Sequence, residues 1–296
     1  MAKNRQANPA RSISNTKLVF FLAPGLLTII LLFGGGLVLG LLQALGYRPA
    51  STSHLSLHHF INVISDPDFL RSMFITLYIA ATSTVIAAII SIALSLILVK
   101  YESKSRIVSF ALQLPLTVPH LVIAIAITLL LTPSGLISRL LSSLGIIASS
   151  ASFPLLVNDT WSIGILLVYV WKEVPFITFM LLSVMINVGP ELDEVGATLN
   201  LSPLKRFRHI TLPLIAPNLG GACLIVFAFT FGAFEVPYLL GRTYPMTLPV
   251  WAYKNYSDVD LLARPEGIAL GLIIAAIVIV SVIVSQAILS MSKVKP

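Results

Sequence analysis

The chain has 296 residues, of which 57% are hydrophobic and 10% charged, against roughly 25% charged in an ordinary soluble domain. With a mean hydropathy of +0.95, it has too little polar surface for a water-soluble enzyme. The apolar residues come in continuous runs of about 20 or more rather than alternating, which selects helical membrane spans over a transmembrane barrel. The net charge is +7, and the single cysteine, Cys223, lies inside an apolar run, so neither a disulfide framework nor a Cys-based metal site is expected.

Six spans follow in chain order, near 18–43, 69–99, 107–131, 161–188, 213–240 and 267–291. The first follows a basic tail (Lys3, Arg5, Arg11, Lys17). Its apolar stretch is too long for a signal peptide and lacks a small-x-small cleavage site, so it reads as an uncleaved helix, interrupted by Gly34-Gly35-Gly36. The second, at 1.5 Å per residue, is about 46 Å long and exceeds the roughly 30 Å hydrocarbon core, so it tilts or projects. The third carries Pro115 and Pro119, which predicts a kink or a partly unwound segment.

The basic residues are unevenly shared between the two sides. The N-terminal tail, Lys100, Lys104, Arg106, Lys205, Arg206, Arg208, Lys293 and Lys295 fall on one side. Arg48, Arg71, Arg139, Arg242, Lys254 and Arg264 fall on the other. This asymmetry places both termini in the cytoplasm, explains the positive charge by topology and leaves no reason for a nucleic-acid partner. In the loop after the third span, Leu136, Ile137, Leu140, Leu141 and Leu144 recur at helical spacing among Ser138, Arg139, Ser142 and Ser143, as in an amphipathic helix lying at the outer interface. Pro245, Pro249, Trp251, Tyr253 and Tyr256 of the last external loop read mainly as interfacial aromatics. His54, His58 and His59 lack a supporting Cys or spaced acid, and no metal site is expected there.

The connection between spans four and five is long and charged. Pro190 starts a helix with Glu191, Asp193 and Glu194 in its opening turns, where acids complement the positive helix end. Asn200 stops it, since Asn enters the left-handed conformation at modest cost. Ser202-Pro203 is a cap-and-first-turn pair for a second helix carrying Leu204, Phe207 and Ile210, and Pro213 opens the fifth span. Two short helices on a tight turn form a knob that a soluble partner can push.

The stretch Glu194-Val195-Gly196-Ala197-Thr198-Leu199-Asn200, nine residues, then Ile210-Thr211-Leu212-Pro213 resembles the EAA loop of ATP-binding-cassette importer permeases. That loop reads Glu-Ala-Ala, three residues, Gly, nine residues, Ile-x-Leu-Pro. Val195-Gly196 replaces Ala-Ala, and Asn200 replaces the glycine. The resemblance covers about 70–290, and Trp171-Lys172-Glu173-Val174-Pro175-Phe176 with the span arrangement looks most like the spermidine/putrescine-type permeases. Permeases for ferric iron, thiamine, phosphonates and sugars share these features less closely.

This likeness implies an all-α, six-helix type I importer permease of the bacterial inner membrane. Its expected layout is a cytoplasmic tail at 1–17, a permease domain at 18–291 with a coupling loop at 189–213, and a short tail at 292–296. It also implies a pair of cytoplasmic ATPase subunits, an extracytoplasmic solute-binding protein and a second permease, in the polyamine case a paralogue. Glu194, Gly196 and Asn200, followed by Leu201, Pro203, Arg206 and Phe207, would dock on the ATPase. The chain has no Gly-x-x-x-x-Gly-Lys-Ser/Thr phosphate loop, so ATP and magnesium belong to the partner and no cofactor is expected here. ATP closure would rock the helices between inward-open and outward-open states. A stand-alone secondary transporter or channel is the alternative from another class, but it gives no reason for the 190–213 knob.

Ionisable groups inside spans cost about 2.5–3.5 kcal/mol at the bilayer centre and need an explanation. Lys172 and Glu173 stand in the fourth span and Glu235 in the fifth. The functional reading is a path along which Glu173 or Glu235, the latter followed by Tyr238, attracts a cationic solute. The structural reading is an ion pair at a helix interface, including one between Glu235 and Lys172 or a contact to the second permease. Gln113, Thr117 and His120 flank the third-span prolines and join the candidate path, where freed carbonyls also become available. Tyr169 and Trp171 read as packing residues before a cation-π cage.

Overall fold

A computed structural model of the chain describes residues 15–47, 55–100, 106–198 and 200–292, with side chains apart from those of 15–18, 100, 106, 109, 187–197 and 288–292. The expected tails and His54 lie largely or wholly outside this set. Among the described residues there is no strand. Six helical stretches are long and apolar enough to cross a membrane: Val19–Ala44, Pro67–Val99, His120–Ser143, Ile163–Ile186, Pro203–Gly232 and Arg264–Ala287. The fold is the all-α, six-span class that the sequence predicts.

The first span comprises α1 (Asn15–Ile29), a π-helical stretch (Ile30–Gly34) and α2 (Gly35–Ala44). Gly34 and Gly35 keep helical φ angles of −62° and −60°, so the glycine triplet does not break the helix; it adjoins a local change of pitch. Next comes α3 (His58–Ser65), then α4 (Pro67–Lys100). Asp66 is extended between them, and its carboxylate accepts the Asp68 N–H at 2.8 Å. Pro67 takes the first helical position, where no N–H is needed.

The third apolar run divides into α5 (Arg106–Thr117) and α6 (His120–Leu131). The interruption expected from the prolines is a complete break at 118–119. The amphipathic segment forms α7 (Leu136–Ser143). The fourth span is α8 (Ile163–Thr198), whose start is capped by Asp159: its two carboxylate oxygens accept the Trp161 and Ile163 N–H groups at 2.9 and 2.8 Å.

Beyond this point the structure departs from three sequence expectations. Pro190 does not start a separate helix but lies within α8, which runs unbroken to Thr198. The second helix of the connection is likewise not free-standing. Its α9 (Pro203–Arg206) passes through a π-helical stretch (Phe207–Thr211) straight into α10 (Leu212–Gly232). The knob is therefore the meeting point of two long helices. A proline removes only one intrahelical hydrogen bond, and the helical hydrogen bonds of the residues around it keep the segment helical. The fifth span, expected to reach 240, ends at Gly232; an extended Ala233 separates it from α11 (Glu235–Leu240). Then follow α12 (Leu248–Tyr256) and α13 (Arg264–Ser292).

Helices α4 and α8 pack most extensively, and they run parallel in a fixed register. Tyr78 donates to the Trp161 carbonyl, Ser91 to that of Val174 at 2.9 Å and Ser95 to that of Thr178 at 3.5 Å, each 83 residues apart. The α4 face in contact carries Ser83, Ala87, Ser91 and Ser95, all fully buried. Small residues every fourth position let two helices approach closely where no hydrophobic drive exists. Helix α10 packs on both through Ile215, Ala222 and Val226 against Ala87, Ile177, Leu181 and Met185. Helices α6 and α11 join α4 and α8 around Ala124, Tyr169, Val236 and Leu240. On the other flank, α3, α12 and α13 meet α4 and α10 around Val63, Phe231, Leu248 and Leu270.

Candidate functional site

The breaks in the third and fifth spans both border one cavity. It has a volume of about 170 Å³ and is lined by His120, Tyr169, Phe229, Ala233, Phe234, Glu235 and Val236. His120 is the first residue of α6, immediately after the 118–119 break, and Glu235 is the first of α11, two residues after the extended Ala233. A helix interior points its polar backbone inward to its own ladder. Two helix starts on one cavity instead bring unladdered backbone and polar side chains to the same space.

The His120 ring lies 4.8 Å from Phe229 and 6.3 Å from Tyr169, centroid to centroid. Tyr169 is fully buried, and its hydroxyl has no hydrogen-bond partner among the described residues. The Glu173 carboxylate stands behind His120, with Oε1 3.5 Å from Nε2, a contact without hydrogen-bond geometry. Phe234 stacks on Tyr253 at 4.6 Å, and Tyr238 meets the same ring edge-on at 5.5 Å.

The path residues named from the sequence thus separate into groups. Glu235 and His120 line the cavity, and Glu173 supports His120 from one layer back. Tyr238 is half exposed beside Tyr253. Gln113 and Thr117 are exposed and outside the lining. Among the described residues Lys172 makes no ion pair; its ammonium donates to the carbonyls of Pro115 and Val118 at 2.7 and 2.6 Å.

At the connection, Asn200 has φ +50°, the left-handed conformation expected of it. Ser202 is extended, Pro203 opens α9, and the Arg206 N–H reaches the Ser202 carbonyl at 2.9 Å. Asn200 and Pro203 are exposed, and Leu201, Arg206 and Phe207 are partly buried. The Glu194 side chain and the surroundings of Gly196 lie outside the described set.

A family profile described as "binding-protein-dependent transport system inner membrane component" matches residues 101–292. The chain belongs to this family. It is 29% identical over 174 residues to the inner membrane ABC transporter permease protein YdcU of Escherichia coli, covering 56% of each chain, so that match spans just over half of that protein's length. It is 28% identical over 219 residues to the molybdate/tungstate transport system permease protein WtpB of Methanocaldococcus jannaschii, covering 73% of this chain and 81% of that one. In fold it is similar to a crystal structure of a bacterial ABC transporter that imports the acidic polysaccharide alginate, with TM-score 0.77, 20% identity and coverage of 94% and 96% of the two chains. That alginate transporter is also known in complex with an alginate pentasaccharide-bound periplasmic protein.

Two features of this inner-membrane component escaped the sequence. Phe229 has no local sign that it faces a cavity rather than the core, because its apolar neighbours run on every side of α10. The break after Gly232 has only a weak signal in Gly232-Ala233, since the apolar run continues through it.

Proposed function

We propose that this chain is the solute-translocating permease of an ATP-driven importer in the bacterial inner membrane, and that the solute is a polyamine such as spermidine or putrescine. The observation that carries the solute class is the Glu235 carboxylate on the wall of an aromatic cavity. Glu235 is exposed at the cavity, and its carboxylate attracts a cation that enters there. The exposed ring of Phe229 adds cation-π attraction. An oxyanion such as molybdate would meet repulsion from the same carboxylate.

In this reading both termini are cytoplasmic and the 189–213 connection faces a pair of ATPase subunits. Glu194, Gly196 and Asn200, with Leu201, Pro203, Arg206 and Phe207, form the docking segment, and ATP and magnesium stay on the partner. A second permease, a paralogue, completes the path, and a solute-binding protein delivers from the other side; the periplasmic protein bound to the alginate transporter supports that arrangement. ATP closure moves the docked turn, and α8 and α10 carry the motion to the cavity because each is continuous, or nearly so, from the turn to the lining.

The test is ATPase activity of the purified complex in lipid nanodiscs, with the binding protein plus spermidine, maltose, molybdate or no solute. Stimulation by spermidine alone, with apparent affinity weakened about tenfold by Glu235→Gln, is the expected result. Stimulation by maltose or molybdate alone, with Glu235→Gln silent, would replace the polyamine by that solute.

A further inference from the structure

Lys172 is a buried cation in an apolar helix; the adjacent Glu173 acts on its charge, but among the described residues Lys172 makes no ion pair. Its partners follow from the chemistry of proline. In a helix the Pro115 carbonyl receives the N–H of residue 119, but residue 119 is a proline and has none. The Val118 carbonyl would receive the N–H of Val122, but that N–H bonds instead to the Pro119 carbonyl at 3.1 Å, as the Ile123 N–H does at 3.3 Å. The Pro115 and Val118 carbonyls, three residues apart, are therefore left without a helical donor at the end of α5, and in a membrane-spanning segment such groups call for another donor. The Lys172 ammonium bonds both.

The next residue on α8 holds the other side of the break. Glu173 approaches His120 at the start of α6. Neighbouring residues of one helix thus grip both flanks of an interruption in another, and α8 packs against both α5 and α6.

We propose that Lys172 is a positioning residue outside the solute path: it supplies the two donors that the third span lacks at Pro119 and so holds the 118–119 break, and with it the His120 wall of the cavity, in place. That this wall serves the solute rests on the function proposed above; the grip on the break does not.

Hydrogen–deuterium exchange of the full chain in nanodiscs, without solute, reads the grip directly. Lys172→Met is expected to speed amide exchange in 116–124 about tenfold while leaving α13 unchanged. Lys172→Arg, which keeps a cationic donor, restores slow exchange. Pro119→Ala returns the missing N–H, so adding it to Lys172→Met also restores slow exchange. Solute-stimulated ATPase of the same variants is the second readout, expected to fall in Lys172→Met and to recover with Lys172→Arg.

Unchanged exchange in Lys172→Met together with lost stimulation would place Lys172 in the path and overturn the proposal. Should Lys172→Met not fold, the Pro119→Ala/Lys172→Met pair decides: a folded double variant supports the donor role, and an unfolded one refutes it. Slow exchange restored by the double variant, but with no response to any polyamine, would leave the grip standing and remove only the solute assignment.

Discussion

The third and fourth spans each carry two prolines, yet one is broken and the other is not. Helix α8 passes Pro175 and Pro190 and stays helical for 36 residues. The third span passes Pro115 but stops at Thr117 and restarts at His120. Spacing is the first difference between the two, but it does not act alone, since Pro213 and Pro217 also stand one turn apart in the continuous run through α10. Pro175 and Pro190 remove donors far apart, so each missing bond is flanked by intact turns. Pro115 and Pro119 stand one turn apart, and their missing N–H groups orphan successive carbonyls along the same line. The second difference is an outside donor. In the bilayer a freed carbonyl is tolerated only if something else satisfies it, and Lys172 of α8 does this for α5. The unbroken helix thus stabilises the broken one.

Lys172→Glu should have the largest effect. It would set a carboxylate against two carbonyls and beside Glu173, on the order of 3–5 kcal/mol for an uncompensated buried charge. The expected outcome is little full-length protein in solubilised membranes, and near-normal accumulation would refute the bonding assigned to Lys172. Next is the other way this molecule ends a helix, the left-handed Asn200 after α8. Asn200→Val should cost about 1–2 kcal/mol because a β-branched residue resists positive φ, while Asn200→Gly should be neutral. Melting temperature and the amount of ATPase that copurifies would compare them, and equal values for Val and Gly would mean that the turn does not depend on this conformation.

Smaller effects sharpen the contrast. Ser91→Ala removes the bond to the Val174 carbonyl that registers α4 on α8, and should lower stability by only about 0.6 kcal/mol. A shift much beyond that in thermal unfolding would give the register bond an unforeseen weight. Smallest of all is Pro175→Ala, which refills a helix that is already continuous. Exchange across 163–186 should change by less than about twofold, whereas Pro119→Ala should slow exchange at the third-span break. Equal responses from the two prolines would show that their spacing is not what separates the spans.

Much of the fold was legible in the chain. Six apolar runs predict six spans because length and hydropathy suffice where lipid is the solvent. Pro115 and Pro119 predict an interruption, Leu136 to Leu144 a short amphipathic helix, and Asn200 a left-handed stop, since each is a local backbone effect. Local signals misled where continuity was in question. Pro190 has every mark of a helix start, yet α8 runs through it, and the apolar run of the fifth span hides the break at Ala233. The cavity was half legible: Glu235, Glu173 and His120 stand out as polar residues in apolar runs, but Tyr169 and Phe229 look like any other core aromatics.

The class, the number of spans, the uneven basic charge and the left-handed turn can be read from the amino acids alone, because they depend on composition and on single residues' backbone preferences. Only the tertiary structure decided which carbonyls Lys172 bonds, that Glu173 approaches His120, that α4 and α8 run parallel at a constant offset, and that two helix breaks from distant parts of the chain share one cavity. Each of these is a meeting of groups tens of residues apart. In a helix that is apolar on all sides, nothing in the local pattern says which face will find which neighbour.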